Sequence, residues 1–133
     1  MYLDYGGFLN WRMKVAELCN PVWFAHYKKI RQGFTMSSEA ERRKFFAAFD
    51  AKTVRLIEEK RVSEKLVEFC LQPDTGGAIH YGACKEILKG IGLYSSKIEC
   101  YGYTGSRPAS FDSLKRLLRE CSEHKCDLIW RSS

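Results

Sequence analysis

Apolar positions recur every three or four residues along most of the chain, and that period predicts helices. Phe8, Trp11, Val15, Leu18 and Cys19 make the first stripe. Asn20-Pro21 ends it and opens the next helix, because Asn can cap and Pro suits the first helical position. Trp23, Tyr27 and Ile30 form the second stripe, with Gly33 read as its stop. Ser38 and Glu41 have capping-box spacing, and Phe45, Phe46 and Phe49 give the third helix an apolar edge. Asp50 is read as the cap of a fourth helix carrying Val54, Leu56 and Ile57. The pattern fades at "EEKRVSEK", which predicts two helices or a kink, with Ser63 starting a stretch that carries Leu66, Val67, Cys70 and Leu71. Pro73 closes this region and "PDTGG" predicts a turn. In "AIHYGACKEILKG", Ile79, Ala83, Ile87 and Leu88 share one helical face, and Gly90 supplies a stop.

After about residue 92 the period changes. In "KIECYGYT", Ile98, Cys100, Gly102 and Thr104 alternate with Lys97, Glu99, Tyr101 and Tyr103, the signature of a strand. "GSRP" is loop. Phe111, Leu114, Leu117, Leu118 and Cys121 form the cleanest helical stripe, capped by Ser110, and "CDLIW" reads as a second strand. Strand, helix and strand with short connections favour a parallel pair with a right-handed crossover. The predicted fold is a mainly helical α+β domain spanning residues 1–133, helical to about residue 92. A small C-terminal β-α-β element occupies about 93–133.

Composition narrows the class. The chain has 133 residues, 45% of them hydrophobic, enough for one packed core. No apolar run reaches 18 residues, and the N-terminus lacks a basic region followed by an apolar one, so a cytosolic protein without a membrane span is expected. The six cysteines fall on predicted core faces and are read as buried free thiols rather than disulfides. The net charge is +6. The excess is densest near the N-terminus, where Arg12, Lys14, Lys28, Lys29 and Arg31 outnumber Asp4 and Glu17. Such a field suits an acidic partner protein or nucleic acid.

The sites that carry chemistry are sparse. "CSEHKC" holds Cys121, His124 and Cys126, and His80 with Cys84 lies one turn apart elsewhere, so these five residues are the metal-ligand candidates. Their spacing matches no standard zinc pattern. Cys121 continues an apolar stripe, His124 and Lys125 suit a helix C-terminus, and Cys126 alternates with Leu128 and Trp130. "DTG" at Asp74–Gly76 lacks the apolar strand that precedes a protease aspartate, and "TGGAIHY" lacks the lysine of a phosphate loop; both are read as turns. No metal, cofactor or catalytic residue is assigned.

Two surfaces stand out instead. "WFAHYKKIR" and "RRKFF" interleave aromatics with cations, a composition that can stack on bases or anchor a protein interface. "YGYTGSRP" places Tyr101 and Tyr103 on one strand face ahead of Arg107 on a loop. A stable core, a complementary face and no catalytic constellation point to a protein-binding module that is not an enzyme, an inhibitor or immunity-type protein neutralising a toxin or enzyme. The expected contacts are Tyr101, Tyr103 and Arg107, then Lys28, Lys29 and Arg31, against an acidic docking surface. The alternative is nucleic-acid binding by the N-terminal basic-aromatic helices. The almost absent turn at Asn20-Pro21 weighs against a helix-turn-helix. A third reading is a thiol- or metal-dependent enzyme.

Overall fold

The computed structural model describes residues 5–72, 76–92 and 111–131. It is mainly helical, with helices α1 (Tyr5–Cys19), α2 (Pro21–Tyr27), α3 (Ile30–Thr35), α4 (Glu39–Glu58), α5 (Glu64–Cys70), α6 (Tyr81–Ile91) and α7 (Phe111–His124). Strands β1 (Gly76–Ile79) and β2 (Leu128–Arg131) pair in a two-stranded antiparallel sheet. No helix among the described residues is long and apolar enough to cross a membrane.

The N-terminal junction follows its local chemistry. Asn20 is extended, and its Oδ1 accepts from the Trp23 N–H at 3.0 Å while Pro21 takes the first helical position. Its Nδ2 donates to the Arg61 carbonyl at 2.8 Å, tying the turn to the loop after α4. Ser38 and Ser63 cap α4 and α5 as expected, accepting from Glu41 and Leu66 N–H groups at 3.3 and 3.1 Å. The break predicted near "EEKRVSEK" lies between Glu58 and Glu64.

Three expected boundaries are corrected. Asp50 caps nothing: α4 runs through it as one 20-residue helix. Phe49, Thr53 and Leu56 are buried at i, i+4 and i+7, so the inward stripe is continuous and Asp50 simply faces out. Gly33 is not a stop but lies inside α3, where a Cβ would come within 2.7 Å of the Phe45 and Phe46 rings. Gly90 is likewise helical; a Cβ there would collide with Cys19 Sγ, so glycine lets α6 lie against the end of α1. The stop of α6 falls to Gly92, with φ of 60°, whose N–H bonds the Leu88 carbonyl at 3.1 Å.

α4 and α7 end differently from α6. Lys60 (φ 58°) and Lys125 (φ 52°) adopt the left-handed conformation usually left to glycine. The chain then folds back, and the Arg61 N–H reaches the Leu56 carbonyl at 2.9 Å and the Cys126 N–H the Cys121 carbonyl at 3.1 Å.

"TGGAIHY" is also revised. Gly76 to Ile79 form β1, and the following helix begins only at Tyr81, with His80 Nδ1 accepting from Gly82 N–H at 3.1 Å. β1 pairs with β2 in the register Gly76↔Arg131, Gly77↔Trp130, Ala78↔Ile129 and Ile79↔Leu128. Ile79 and Leu128 are buried, while Ala78 and Ile129 face out, the alternation of a one-sided sheet. The strand expected at residues 97–104 lies outside the described residues. The described neighbour of β2 is thus β1, antiparallel.

One apolar cluster runs from α1 to β2. Trp11, Trp23, Tyr27, Phe69, Ile79, Ile87 and Leu118 are its largest fully buried members among the described residues. Trp23 and Tyr27 stack at 5.3 Å, and Trp11 meets Phe69 edge-on at 5.3 Å. Each such side chain contributes roughly 1.5–3 kcal/mol on burial.

Candidate functional site

The basic-aromatic segments singled out separately along the chain lie side by side. Between α2 and α3 the backbone stays right-handed through Lys28 and Lys29, and the turn tightens, with the Lys29 N–H on the His26 carbonyl at 3.1 Å and the Gln32 N–H on the Lys29 carbonyl at 2.9 Å. Phe24, Lys28 and Arg31 follow one another at i, i+4 and i+7 on one side, and Phe34 is exposed near the end of α3. Trp23, Tyr27 and Ile30 point the other way, into the core. Lys28, Lys29 and Arg31 are exposed, and Phe34 is 58% exposed. Lys28 Nζ stands 5.7 Å from the Phe24 ring centroid, within cation–π range.

α3 then carries this row against the start of α4. The absence of a side chain at Gly33 admits Phe45 and Phe46, which meet edge to face at 5.3 Å. Phe34 lies 5.8 Å from Phe46. Arg42, Arg43 and Lys44, just before Phe45 on α4, are exposed. Arg42 donates to the Met36 carbonyl at 2.6 Å, and Arg43 pairs with Glu39 at 2.8 Å. The result is an exposed phenylalanine on a half-buried aromatic base, in helices that also expose several cations.

His26 fixes the floor of this face. Its Nε2 lies 3.1 Å from the Phe49 carbonyl and 2.9 Å from Thr53 Oγ1. The Thr53 hydroxyl already donates to Phe49 O at 2.9 Å, so Nε2 must carry the proton. The ring stacks on Phe49 at 4.2 Å, and its Nδ1 is buried without a hydrogen-bond partner among the described residues. Burial lowers its pKa, outweighing the Phe49 bond, and Lys52 and Lys29 push the same way. His26 was legible only as part of a basic-aromatic run; its place on the Trp23–Tyr27–Ile30 stripe was the signal that it faces inward.

The other expected sites divide. Tyr101, Tyr103 and Arg107 lie outside the described residues. Of the metal candidates, Cys84 and Cys121 are buried, Cys126 is exposed, His80 is the helix cap described above and His124 faces solvent. Among the described residues, no three His, Cys, Asp or Glu side chains are placed to hold a metal ion. The five described cysteines are free. Burial lifts Cys19 to about 11, with Glu86 adding to it, and lifts Cys70 to about 12. Cys19 borders a cavity of about 350 Å³ that Ser63, Glu86 and Lys89 also line, but its thiol is held protonated there. Cys126 departs from the expectation that the cysteines face the core: β2 begins two residues later, at Leu128, and leaves it outside.

Comparison of the chain with protein-family models, curated proteins and solved structures found no match.

Proposed function

We propose that this protein is a small binding module of the cytoplasm that neutralises a partner protein, in the manner of an inhibitor or immunity protein, by docking it on the α2–α4 face. The observation that carries this reading is the exposed Phe34 beside Phe46 on packed helices that also expose Lys28, Lys29, Arg31, Arg42, Arg43 and Lys44. Aromatic residues and arginine dominate interface hot spots, and exposed cations select an acidic counterpart. Tyr101, Tyr103 and Arg107 belong to the same reading as a second contact surface. So does the small C-terminal β-α-β element at about residues 93–133.

The cations would also suit nucleic acid. Single-strand binders, however, present several ring faces to successive bases. Here Phe45 and Phe46 are half-buried against each other, and Phe34 alone is largely exposed. Glu39 and Glu41 also dilute the positive field at the start of α4. These features favour a protein.

The test is capture from native lysate at two salt concentrations, with and without nuclease, using wild type and Phe34→Ala in parallel. A protein recovered stoichiometrically by wild type, resistant to nuclease and lost with Phe34→Ala, is the expected result. Recovery of nucleic acid that nuclease or high salt removes would overturn this reading.

A further inference from the structure

The end of α7 brings two cysteines together. Lys125 turns the chain left-handed, and the Cys126 N–H bonds the Cys121 carbonyl at 3.1 Å. In helix stops of this kind, the residues at the two ends of that bond frequently bring their side chains into contact. Here both are thiols, and Cys126 is among the groups that raise the Cys121 thiol. Their access differs sharply: Cys126 is exposed, whereas Cys121 is only 8% exposed. Cys84, fully buried on α6, packs beneath the same corner.

We propose that Cys121 and Cys126 are an oxidisable dithiol in which a hydroperoxide attacks the exposed Cys126 and the shielded Cys121 resolves it as an intramolecular disulfide. In the first step the Cys126 thiolate attacks one peroxide oxygen. The O–O bond breaks, an alcohol or water leaves with the other oxygen, and the sulfur becomes a sulfenic acid. The Cys121 sulfur then attacks the Cys126 sulfur. The S–O bond breaks, and the departing hydroxide takes the Cys121 proton as water. Two thiols are oxidised and one peroxide is reduced. Burial lifts the Cys121 thiol to about 11, with Cys126, Cys84 and Glu120 adding to it, so Cys121 stays protonated while Cys126 meets the oxidant. A disulfide requires Cα atoms within about 7 Å, and the helix stop already draws these two residues together. The bridge closes over the α7–β2 corner.

Trypsin supplies the test, because cleavage after Arg119, Lys125 and Arg131 separates the two cysteines into peptides 120–125 and 126–131. The full chain is treated with a few equivalents of hydrogen peroxide, alkylated, digested and mapped by mass spectrometry. The expected product is those two peptides joined through a disulfide, with loss of two of the six thiols, both reversed by dithiothreitol. Cys126→Ser, a substitution at an exposed position, should abolish the two-thiol loss. Peptide 126–131 joined instead to a Cys84 peptide or to a second copy of itself would overturn the proposal. So would peptides that remain unlinked after the thiols have oxidised.

Discussion

The guanidinium of Arg12, on the first helix, donates from Nη1 to the carbonyl oxygen of Cys70 at 2.8 Å, across 58 positions of sequence. The same nitrogen donates to the Gln72 carbonyl, and the Tyr27 hydroxyl reaches Cys70 O at 2.6 Å. A cation at a helix C-terminus satisfies carbonyls that the helix leaves open and opposes its dipole. α5 is thereby stapled to α1 and α2 through a residue that is only 5% exposed. The N-terminal positive charge is correspondingly less available to a partner than the sequence count implies.

Arg12→Met keeps much of the side-chain volume and removes the charge-assisted bonds. Bonds of that kind contribute about 1.5–3 kcal/mol each, so the substitution should cost about 3 kcal/mol. Urea unfolding would show it as a lower midpoint at unchanged slope. Arg12→Lys, with one ammonium in place of a fork, should fall between. A loss under about 0.5 kcal/mol for Arg12→Met would remove the staple from the account.

His26 makes stability depend on pH in a stated direction. Its folded pKa is lowered, while the unfolded value is about 6.5. As pH falls through about 6.5 the unfolded chain takes up the proton first, and the folded state loses ground until pH passes the folded value. Stability contributed by neutral His26 is thus complete above about 7 and lost on acidification. Chemical denaturation between pH 7.5 and 5 should show this decline, and His26→Gln should flatten it. An unchanged slope in the variant would assign the decline to another group.

Much of the helical core was legible because burial follows period: Trp23, Tyr27 and Ile30 face inward as their spacing implies. The candidate face was legible only in pieces, since "WFAHYKKIR" and "RRKFF" are joined by packing that spacing does not encode. Gly33 and Gly90 illustrate what sequence conceals. Both look like stops, yet each is needed for close approach, the one to phenylalanine rings and the other to Cys19. Ala would gain about 1 kcal/mol of helix propensity at either position but pay about 1–3 kcal/mol in overpacking. Gly33→Ala and Gly90→Ala should therefore lower the thermal midpoint, whereas true stops would show no such packing loss. Arg12 was hidden in the opposite way: it shares a helical stripe with Ala16 and Cys19, but charge argued for solvent.

Lys60 and Lys125 occupy the left-handed region at the ends of α4 and α7. An L-residue there carries a cost of roughly 1–2 kcal/mol that glycine escapes. Glycine is also looser in the unfolded chain, which offsets part of the gain. Lys60→Gly and Lys125→Gly should each stabilise the fold by about 0.5–1 kcal/mol, and by nearly their sum together, because they end different helices. Calorimetric midpoints of the two single variants and the double variant would check both the sign and the additivity.

Binding and folding should separate at Phe34. The ring is 58% exposed and meets Phe46 only at 5.8 Å, so Phe34→Ala should change stability by no more than about 0.5 kcal/mol. If the ring is the anchor of the docking face, the same truncation should cost about 2 kcal/mol of affinity, or roughly thirtyfold in Kd. Lys28→Glu and Arg31→Glu change exposed cations and should chiefly slow association, with the penalty shrinking as salt rises. Surface-binding kinetics against the captured partner at two salt concentrations resolve the two effects. An anchor at Phe34 raises the dissociation rate at both salts, whereas a purely electrostatic face leaves Phe34→Ala silent and loses all variants' differences in high salt.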